Sequence, residues 1–111
     1  MTLKELIDSG KFKVINEGSD LSRKLTKPFC CDLLSVAMSR ASEGCVWVTV
    51  MSNVNTLAVA SLTETACIII SEGRDMDDSC VEKAKEQEIT VLRSDKPIFE
   101  TAQTVYEMIN E

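Results

Sequence analysis

Along the second half of the chain, short continuous apolar runs alternate with segments whose apolar residues have helical spacing. This pattern predicts alternating strands and helices. Residues 45–50 and 67–70 are apolar and mostly β-branched on both faces, and residues 90–92 form a shorter run of the same kind. Such strands are typical of a parallel sheet covered by helices on both sides. Helical spacing follows each strand in turn, over residues 55–62, from Asp77 or Asp78 to Glu88, and from Pro97 to about Asn110. The inward stripe of the last helix is formed by Ile98, Ala102, Val105 and Ile109, and Tyr106 joins it. The order β-α-β-α-β-α predicts an α/β fold with a largely parallel sheet.

The amino-terminal residues predict a helix and then a strand. Residues 2–5 read as a capping box in which Glu5 reaches back to the cap N–H, and Gly10 ends the helix. Residues 12–15 then alternate as a short strand.

The segment around Pro28 is harder to assign. Residues 25–26 and 29–31 are each candidates for a brief strand. Proline has no N–H to give to a ladder, so we expect an edge strand or a loop here. Asp32 is a good N-cap for a following helix. The apolar positions of that helix would be Leu33, Leu34, Ala37, Met38 and Ala41.

Length and charge narrow the class of protein. The 111 residues fit one domain spanning the whole chain, and the net charge is −6 with no clustering of Lys or Arg. An acidic surface repels phosphate backbones, so nucleic acid and anionic membranes are not expected partners. The sequence has neither an apolar run long enough to span a bilayer nor a signal peptide at its start. We expect a cytoplasmic protein.

Cysteine and histidine usage excludes several chemistries. The five cysteines are odd in number, and four lie within apolar runs, as free thiols do in a reducing cytosol. The chain has no histidine, which excludes Ser-His-Asp and Cys-His nucleophiles and any zinc site that needs imidazole. No C-x-x-C pair is present. We expect no metal, no cofactor and no enzymatic activity.

Several segments, in order along essentially the whole chain, resemble the DRTGG domain family. They are residues 20–36, 47–49, 55, 58–62, 68–74 and 98–102. The resemblance implies a three-layer α/β fold similar to the N-terminal domain of HPr kinase/phosphorylase. It also implies a non-catalytic regulatory or dimerising module, and we expect a homodimer. Lys27-Pro28 stands where the family has its two namesake glycines, which puts in doubt any site built from N–H groups of that turn.

Members of this family occur beside CBS domains in regulated pyrophosphatases, beside phosphotransacetylases, and as short stand-alone proteins encoded near hydrogenases in anaerobes. The resemblance therefore implies two alternative roles. One is a cytosolic sensor of a small phosphorylated metabolite or nucleotide. The other is an interaction subunit of a hydrogenase or other redox enzyme complex, with no small ligand. A pocket lined by Arg74 and Asn55 would favour the sensor, and a flat exposed apolar patch would favour the interaction subunit.

The resemblance to HPr kinase/phosphorylase does not lead us to expect kinase activity. Its phosphate-binding loop requires G-x-x-x-x-G-K-[ST], and none of the four glycines stands at that spacing before Lys-Ser or Lys-Thr. The dinucleotide pattern G-x-G-x-x-G is also absent.

Two groups of residues are candidates for ligand contact. Arg23, Thr26 and Lys27 can hold an anion, assisted by the N-terminus of the helix after Asp32, or can be solvated loop charges. The second group follows two strands of the predicted sheet, where ligands of parallel sheets bind, and comprises Ser52, Asn53, Asn55, Ser71, Gly73 and Arg74. Asn and Ser at these positions can equally be helix caps. Gly73 is expected to provide a turn with positive φ, and Arg74 is the stronger candidate for a contact.

Other reactive side chains have simpler structural interpretations. Cys30 and Cys31 are adjacent, a spacing that rarely forms a disulfide, so packing is favoured over a redox pair. Three acids, Asp75, Asp77 and Asp78, are better explained as charges at a helix N-terminus than as cation ligands. Trp47 is expected in the core.

Overall fold

The computed structural model describes residues 1–111, which form five helices and five strands. In chain order these are α1 (Leu3–Asp8), β1 (Lys13–Asn16), β2 (Pro28–Cys30), α2 (Leu34–Arg40), β3 (Val46–Thr49), α3 (Val54–Leu62), β4 (Cys67–Ile70), α4 (Asp78–Glu86), β5 (Val91–Arg93) and α5 (Ile98–Ile109).

All five strands belong to one sheet, in the order β1-β5-β4-β3-β2. The strands β2, β3, β4 and β5 are mutually parallel, and β1 joins the outer side of β5 in the antiparallel direction. The prediction of an α/β fold with a largely parallel sheet is confirmed. The prediction that Pro28 lies in an edge strand is also confirmed, because β2 ends the sheet.

Helices cover both faces of the sheet, so the domain has three layers. Alternate residues along a strand point to opposite faces, and here both faces are apolar. Trp47, Ile68 and Ile70 pack with residues of α2, α3 and α4. Val48 and Ile69 pack with residues of α1 and α5 on the other face. The expectation that Trp47 is a core residue is confirmed, since it is fully buried.

The helix starts follow local capping chemistry that the sequence predicted in three cases. Thr2 and Glu5 form the reciprocal capping box of α1. Asn53 caps α3 because its side chain accepts hydrogen bonds from the N–H groups of Asn55 and Thr56. Asp77 caps α4 by accepting a hydrogen bond from the N–H of Cys80. These caps satisfy donors that a helix leaves unpaired at its first turn.

The prediction that Asp32 caps α2 was wrong. Leu33 is the N-cap residue and its side chain gives no capping bond. The Asp32 Oδ1 instead accepts hydrogen bonds from Thr49 Oγ1 at 2.6 Å and from the N–H of Val50 at 3.1 Å. Since the Thr49 side chain is fully buried at the end of β3, the carboxylate serves the neighbouring strand instead of its own helix.

Three apolar positions assigned to helix interiors are exposed. Leu33 and Met38 are 59% and 44% exposed, and Tyr106, placed in the inward stripe of α5, is 58% exposed. Residues 25–26 form no strand, although Lys24 makes a single bridge with Thr2.

Candidate functional site

The candidate ligand residues lie at opposite ends of the sheet. Ser52 and Asn53 follow β3, and Ser71 to Arg74 follow β4, so they lie at the carboxyl ends of the parallel strands. Arg23, Thr26 and Lys27 precede β2 and lie at the other end. The N-terminus of α2 follows β2, so the expectation that it assists Arg23 was wrong.

The Arg23 side chain binds a backbone carbonyl at the C-terminal end of α3. Its Nη2 donates a hydrogen bond to the carbonyl oxygen of Glu64 at 2.9 Å, just after α3 ends. Glu64 has φ 57°, and its carbonyl also accepts from the N–H of Gly44. A cation at a helix C-terminus satisfies carbonyls left unpaired there and complements the negative end of the helix dipole. The guanidinium therefore has a structural role, linking residues 41 positions apart.

A polar cavity of about 390 Å³ opens beside Arg23, at the C-terminal ends of α3 and α4. Its charged lining residues are Arg23 and four acids, Asp20, Glu43, Glu64 and Glu88. Four carboxylates against one guanidinium, together with two helix C-termini, make the local potential negative. This cavity does not suit a phosphate group.

A second cavity of about 380 Å³ lies on the other side of Arg23 and has balanced charges. Arg23, Lys24 and Thr26 contribute to its wall together with Asp20 and Glu43. The Thr26 hydroxyl donates to the carbonyl oxygen of Glu43 at 3.2 Å. Lys27 is exposed and does not line this cavity.

The candidates at the carboxyl end of the sheet line no cavity. Arg74 and Asn55 are exposed, and neither contributes to any of the four surface cavities. Asn53 is the helix cap described above, with its side-chain oxygen 2.9 Å from the N–H of Asn55. Ser71 is fully buried and its hydroxyl has no hydrogen-bond partner, and Ser52 is half-buried.

Arg93, at the end of β5, is a residue that the sequence reasoning missed. Its Nη2 donates to the carbonyl oxygen of Gly73 at 2.8 Å, and its Nη1 pairs with Asp75. A second ion pair joins Nη2 to Asp95 at 3.3 Å. Gly73 has φ 68°, as predicted, which turns its carbonyl in the loop after β4. The available signal was an arginine at the carboxyl end of a buried strand.

The five cysteines are all free thiols. Burial raises the pKa of Cys30, Cys45 and Cys80, and it raises the pKa of Cys67 to about 12. A thiol is nucleophilic only as the thiolate, so a raised pKa lowers its reactivity at neutral pH. No group of His, Cys, Asp and Glu side chains is arranged to hold a metal ion.

An exposed apolar surface lies where α5 packs against the edge strand β2. We call it the edge face, and it is formed by Pro28, Cys30, Phe99, Ala102 and Tyr106 around a shallow depression of about 400 Å³. Phe99 is 73% exposed and Tyr106 is 58% exposed. Gln103 completes the lining, which contains no charged residue. The sequence did not indicate this surface, because helical spacing placed Tyr106 in the core.

Comparison with known proteins identifies the family. The model of the DRTGG domain matches residues 5–108, and the chain belongs to this domain family. No curated protein matches the chain.

A solved structure shares the fold. It contains the CBS and DRTGG domains of the regulatory region of Clostridium perfringens pyrophosphatase, in complex with the activator diadenosine tetraphosphate. The TM-score is 0.73 at 18% sequence identity, over 94% of this chain and 45% of that chain. The present chain thus corresponds to less than half of the pyrophosphatase fragment. Among its own helices, none is long and apolar enough to cross a membrane.

Proposed function

We propose that this protein is a non-catalytic regulatory module that works by protein–protein association through the edge face. The observation that carries the proposal is the exposure of Phe99 and Tyr106 on an uncharged surface of a chain with net charge −6. Large contiguous apolar surfaces are rare on monomeric proteins and are typical of interaction sites. Aromatic side chains are also enriched at the energetic centres of interfaces.

The geometry favours association over small-molecule sensing. A sensor of the expected kind would have a pocket lined by Arg74 and Asn55, and the cavities of this fold lie elsewhere. The contrasting feature, an exposed apolar patch, is present as the edge face. These two observations therefore support the interaction role more than the sensor role.

Family membership supports the regulatory part of the proposal. The pyrophosphatase neighbour is a regulatory region in complex with an activator, which supports a regulatory or ligand-binding module in general. The shared part is 45% of that chain, so the activator itself is not carried over. The absence of histidine and of a phosphate-binding loop supports a non-catalytic role. Five free thiols support a cytoplasmic location.

Sedimentation equilibrium on matched variants tests the association surface. Phe99→Ser removes the most exposed aromatic ring of the edge face, while Val14→Ser removes an exposed apolar side chain, 40% accessible, from β1 at the other edge of the sheet. We expect Phe99→Ser to weaken self-association roughly tenfold or more and Val14→Ser to leave it unchanged. Equal effects of the two changes would refute the edge face as the interface. A wild-type monomer would instead favour a partner enzyme, such as a hydrogenase or another redox complex.

A second candidate function is binding of a small phosphorylated metabolite or nucleotide. It is favoured by the balanced cavity, where Arg23, Lys24 and Thr26 bring two cations and a hydroxyl together. A thermal-shift screen with AMP, ADP, ATP, dinucleoside polyphosphates and acetyl phosphate tests it. A ligand at about 100 times its Kd adds about 2.7 kcal/mol of stability. Lys24→Ala should abolish the shift, with the distant Arg74→Ala as control; absence of any shift would remove this candidate.

A further inference from the structure

A cavity of about 370 Å³ opens at the carboxyl end of β5, and none of the candidate ligand residues lines it. We call it the lysine cavity; its lining residues are Lys11, Phe12, Ser94, Asp95, Lys96 and Thr104. We propose that the lysine cavity binds a small organic dianion, a molecule that joins two negative charges to an apolar group. This site is separate from the edge face, and it does not depend on the association role.

The lysine cavity lies where the chain changes from one face of the sheet to the other. Helix α4, which precedes β5, packs on the face shared with α2 and α3, and α5, which follows β5, packs on the opposite face. In open parallel sheets, ligands bind beyond the carboxyl ends of the strands at such a change of face. Residues 94–96 follow β5 directly, and Lys11 lies beside them because Lys13 of the antiparallel β1 pairs with Arg93. Two lysines far apart in sequence thus share one cavity.

Positive charge predominates in the lysine cavity. Its single acid, Asp95, forms an ion pair with Arg93 at 3.3 Å. The ion pairs of the structure involve neither Lys11 nor Lys96. An ammonium group has three N–H donors and no acceptor, so two of them in one cavity favour an oxyanion with two negative charges.

A closed ring of hydrogen bonds holds Lys96 in place. Its N–H donates to Ser94 Oγ at 3.2 Å, and its carbonyl oxygen accepts from Thr101 Oγ1 at 3.3 Å. The Ser94 and Thr101 hydroxyls are 2.7 Å apart and buried, so the Ser94 hydroxyl donates to Thr101 and closes the ring. The Lys96 carbonyl oxygen also accepts from the N–H of Glu72 at 2.9 Å. Because this backbone is already fixed, ligand binding costs little ordering of the loop.

The apolar part of the wall indicates the other end of the ligand. Phe12 is half-buried and packs against core residues on the α1 and α5 face, and it lines the cavity. The cavity volume falls within the range of small-molecule sites, which begins at about 300 Å³. Phosphate monoesters and dicarboxylates both carry about two negative charges at neutral pH. We therefore expect a ligand of one of these two kinds that also has an apolar or aromatic group.

An NMR titration that follows backbone amides of the full chain tests the site. The probes are phenyl phosphate and phenylsuccinate, because each joins a dianion to an aromatic ring and the two differ in the oxyanion. We expect saturable binding that shifts the amides of Lys96 and Thr104, and the tighter probe decides between a phosphate monoester and a dicarboxylate. Inorganic phosphate should bind more weakly than phenyl phosphate, since it has no ring to contact Phe12. Absence of saturable shifts at Lys96 and Thr104 with both phenyl probes would overturn the site.

Matched lysine variants separate a built site from general attraction of anions. Lys13→Gln is the control for Lys11→Gln and Lys96→Gln, because Lys13 is exposed and lines no cavity, while all three changes remove one charge. We expect Lys11→Gln and Lys96→Gln each to weaken binding of the tighter probe about tenfold and Lys13→Gln to change it less than about twofold. Lys24→Gln, in the balanced cavity, should also leave binding unchanged, which separates this site from the second candidate function. Equal weakening by Lys13→Gln and Lys96→Gln would overturn the lysine cavity and leave the edge face unaffected.

Discussion

The guanidinium of Arg93 lies 2.8 Å from the carbonyl oxygen of Gly73 and joins the end of β5 to the loop that follows β4. The Arg93 side chain is only 23% exposed, and it also pairs with Asp75 and Asp95. A partly buried planar donor group of this kind can satisfy several acceptors at once. The carboxyl end of the sheet is thereby fixed by Arg93, while Arg74 in the same loop remains exposed without a side-chain partner.

Replacement of Arg93 tests this assignment. Arg93→Lys keeps the charge but cannot reach all of these acceptors, so we expect a loss of about 1–2 kcal/mol in the free energy of unfolding. Urea denaturation measures the loss, and hydrogen exchange should report faster opening of residues 71–77. The matched change Arg74→Lys should stay within about 0.5 kcal/mol of the wild type. Similar effects of the two changes would contradict the role of Arg93.

Asn53 offers a separate test, because it was a candidate ligand residue and is a helix cap. Asn53→Ala removes the acceptor for the N–H groups of Asn55 and Thr56. We expect thermal or urea unfolding to show a loss of about 1 kcal/mol. Asn53→Asp should retain most of the stability, and Asn55→Ala, whose exposed side chain makes no bond, should cost little. A stable Asn53→Ala protein would show that the cap contributes nothing.

The buried thiol of Cys67 makes stability depend on pH in the alkaline range. Its pKa is about 12 in the fold, against 9.0 ordinarily. Below pH 9 both states hold the proton, so the stability is fully present; as the pH rises, the unfolded chain ionises first and stability is lost. From the two pKa values this loss is about 1.4 kcal/mol by pH 10.

Comparison with Cys67→Ala isolates this contribution. The variant is expected to be less stable than the wild type at pH 7, because it leaves a cavity in the core. Urea denaturation at pH 7 and pH 10 should show the gap between the two proteins narrowing by about the amount that the thiol loses. A gap that is independent of pH would contradict the buried neutral thiol.

The sheet was predictable because its central strands combine several local signals. Residues of β3 and β4 are apolar on both faces, β3 and β4 are four residues long and mostly β-branched, and this combination favours a buried strand over a buried helix. Capping residues such as Asn53 and Asp77 act within three positions along the chain, so local sequence was enough. The parallel direction of β3, β4 and β5 then follows from the helices that connect them.

The features that escaped prediction depend on contacts between distant residues. Asp32 looked like a helix cap, but the buried Thr49 hydroxyl, 17 residues away, competes for its carboxylate. Arg23 was a candidate anion ligand, and its hydrogen bond to the carbonyl oxygen of Glu64, 41 residues away, had no signal in the local sequence. Tyr106 fits the helical period of α5, yet that helix sits at the edge of the sheet, where one more face is exposed. The spacing of apolar residues shows which face of a helix is apolar. It does not show how much of that face the neighbouring element covers.

Salt should strengthen self-association. Each copy carries a net charge of −6, so two copies repel at low ionic strength, and the edge face has no charges of its own to be screened. Screening length falls from about 30 Å at 0.01 M salt to about 10 Å at 0.1 M. We expect the dimer constant from sedimentation equilibrium to tighten over this range. Weaker association at higher salt would point to an interface made of opposite charges and contradict the edge face.

The most direct test of the account is the molar mass of the wild-type protein in solution, measured by light scattering over a dilution series. The account predicts twice the chain mass of 12.3 kDa at high concentration, with dissociation on dilution and with Phe99→Ser shifted to the single-chain mass. A wild-type mass of one chain at every concentration would contradict self-association of this module and leave the edge face only for a different protein partner.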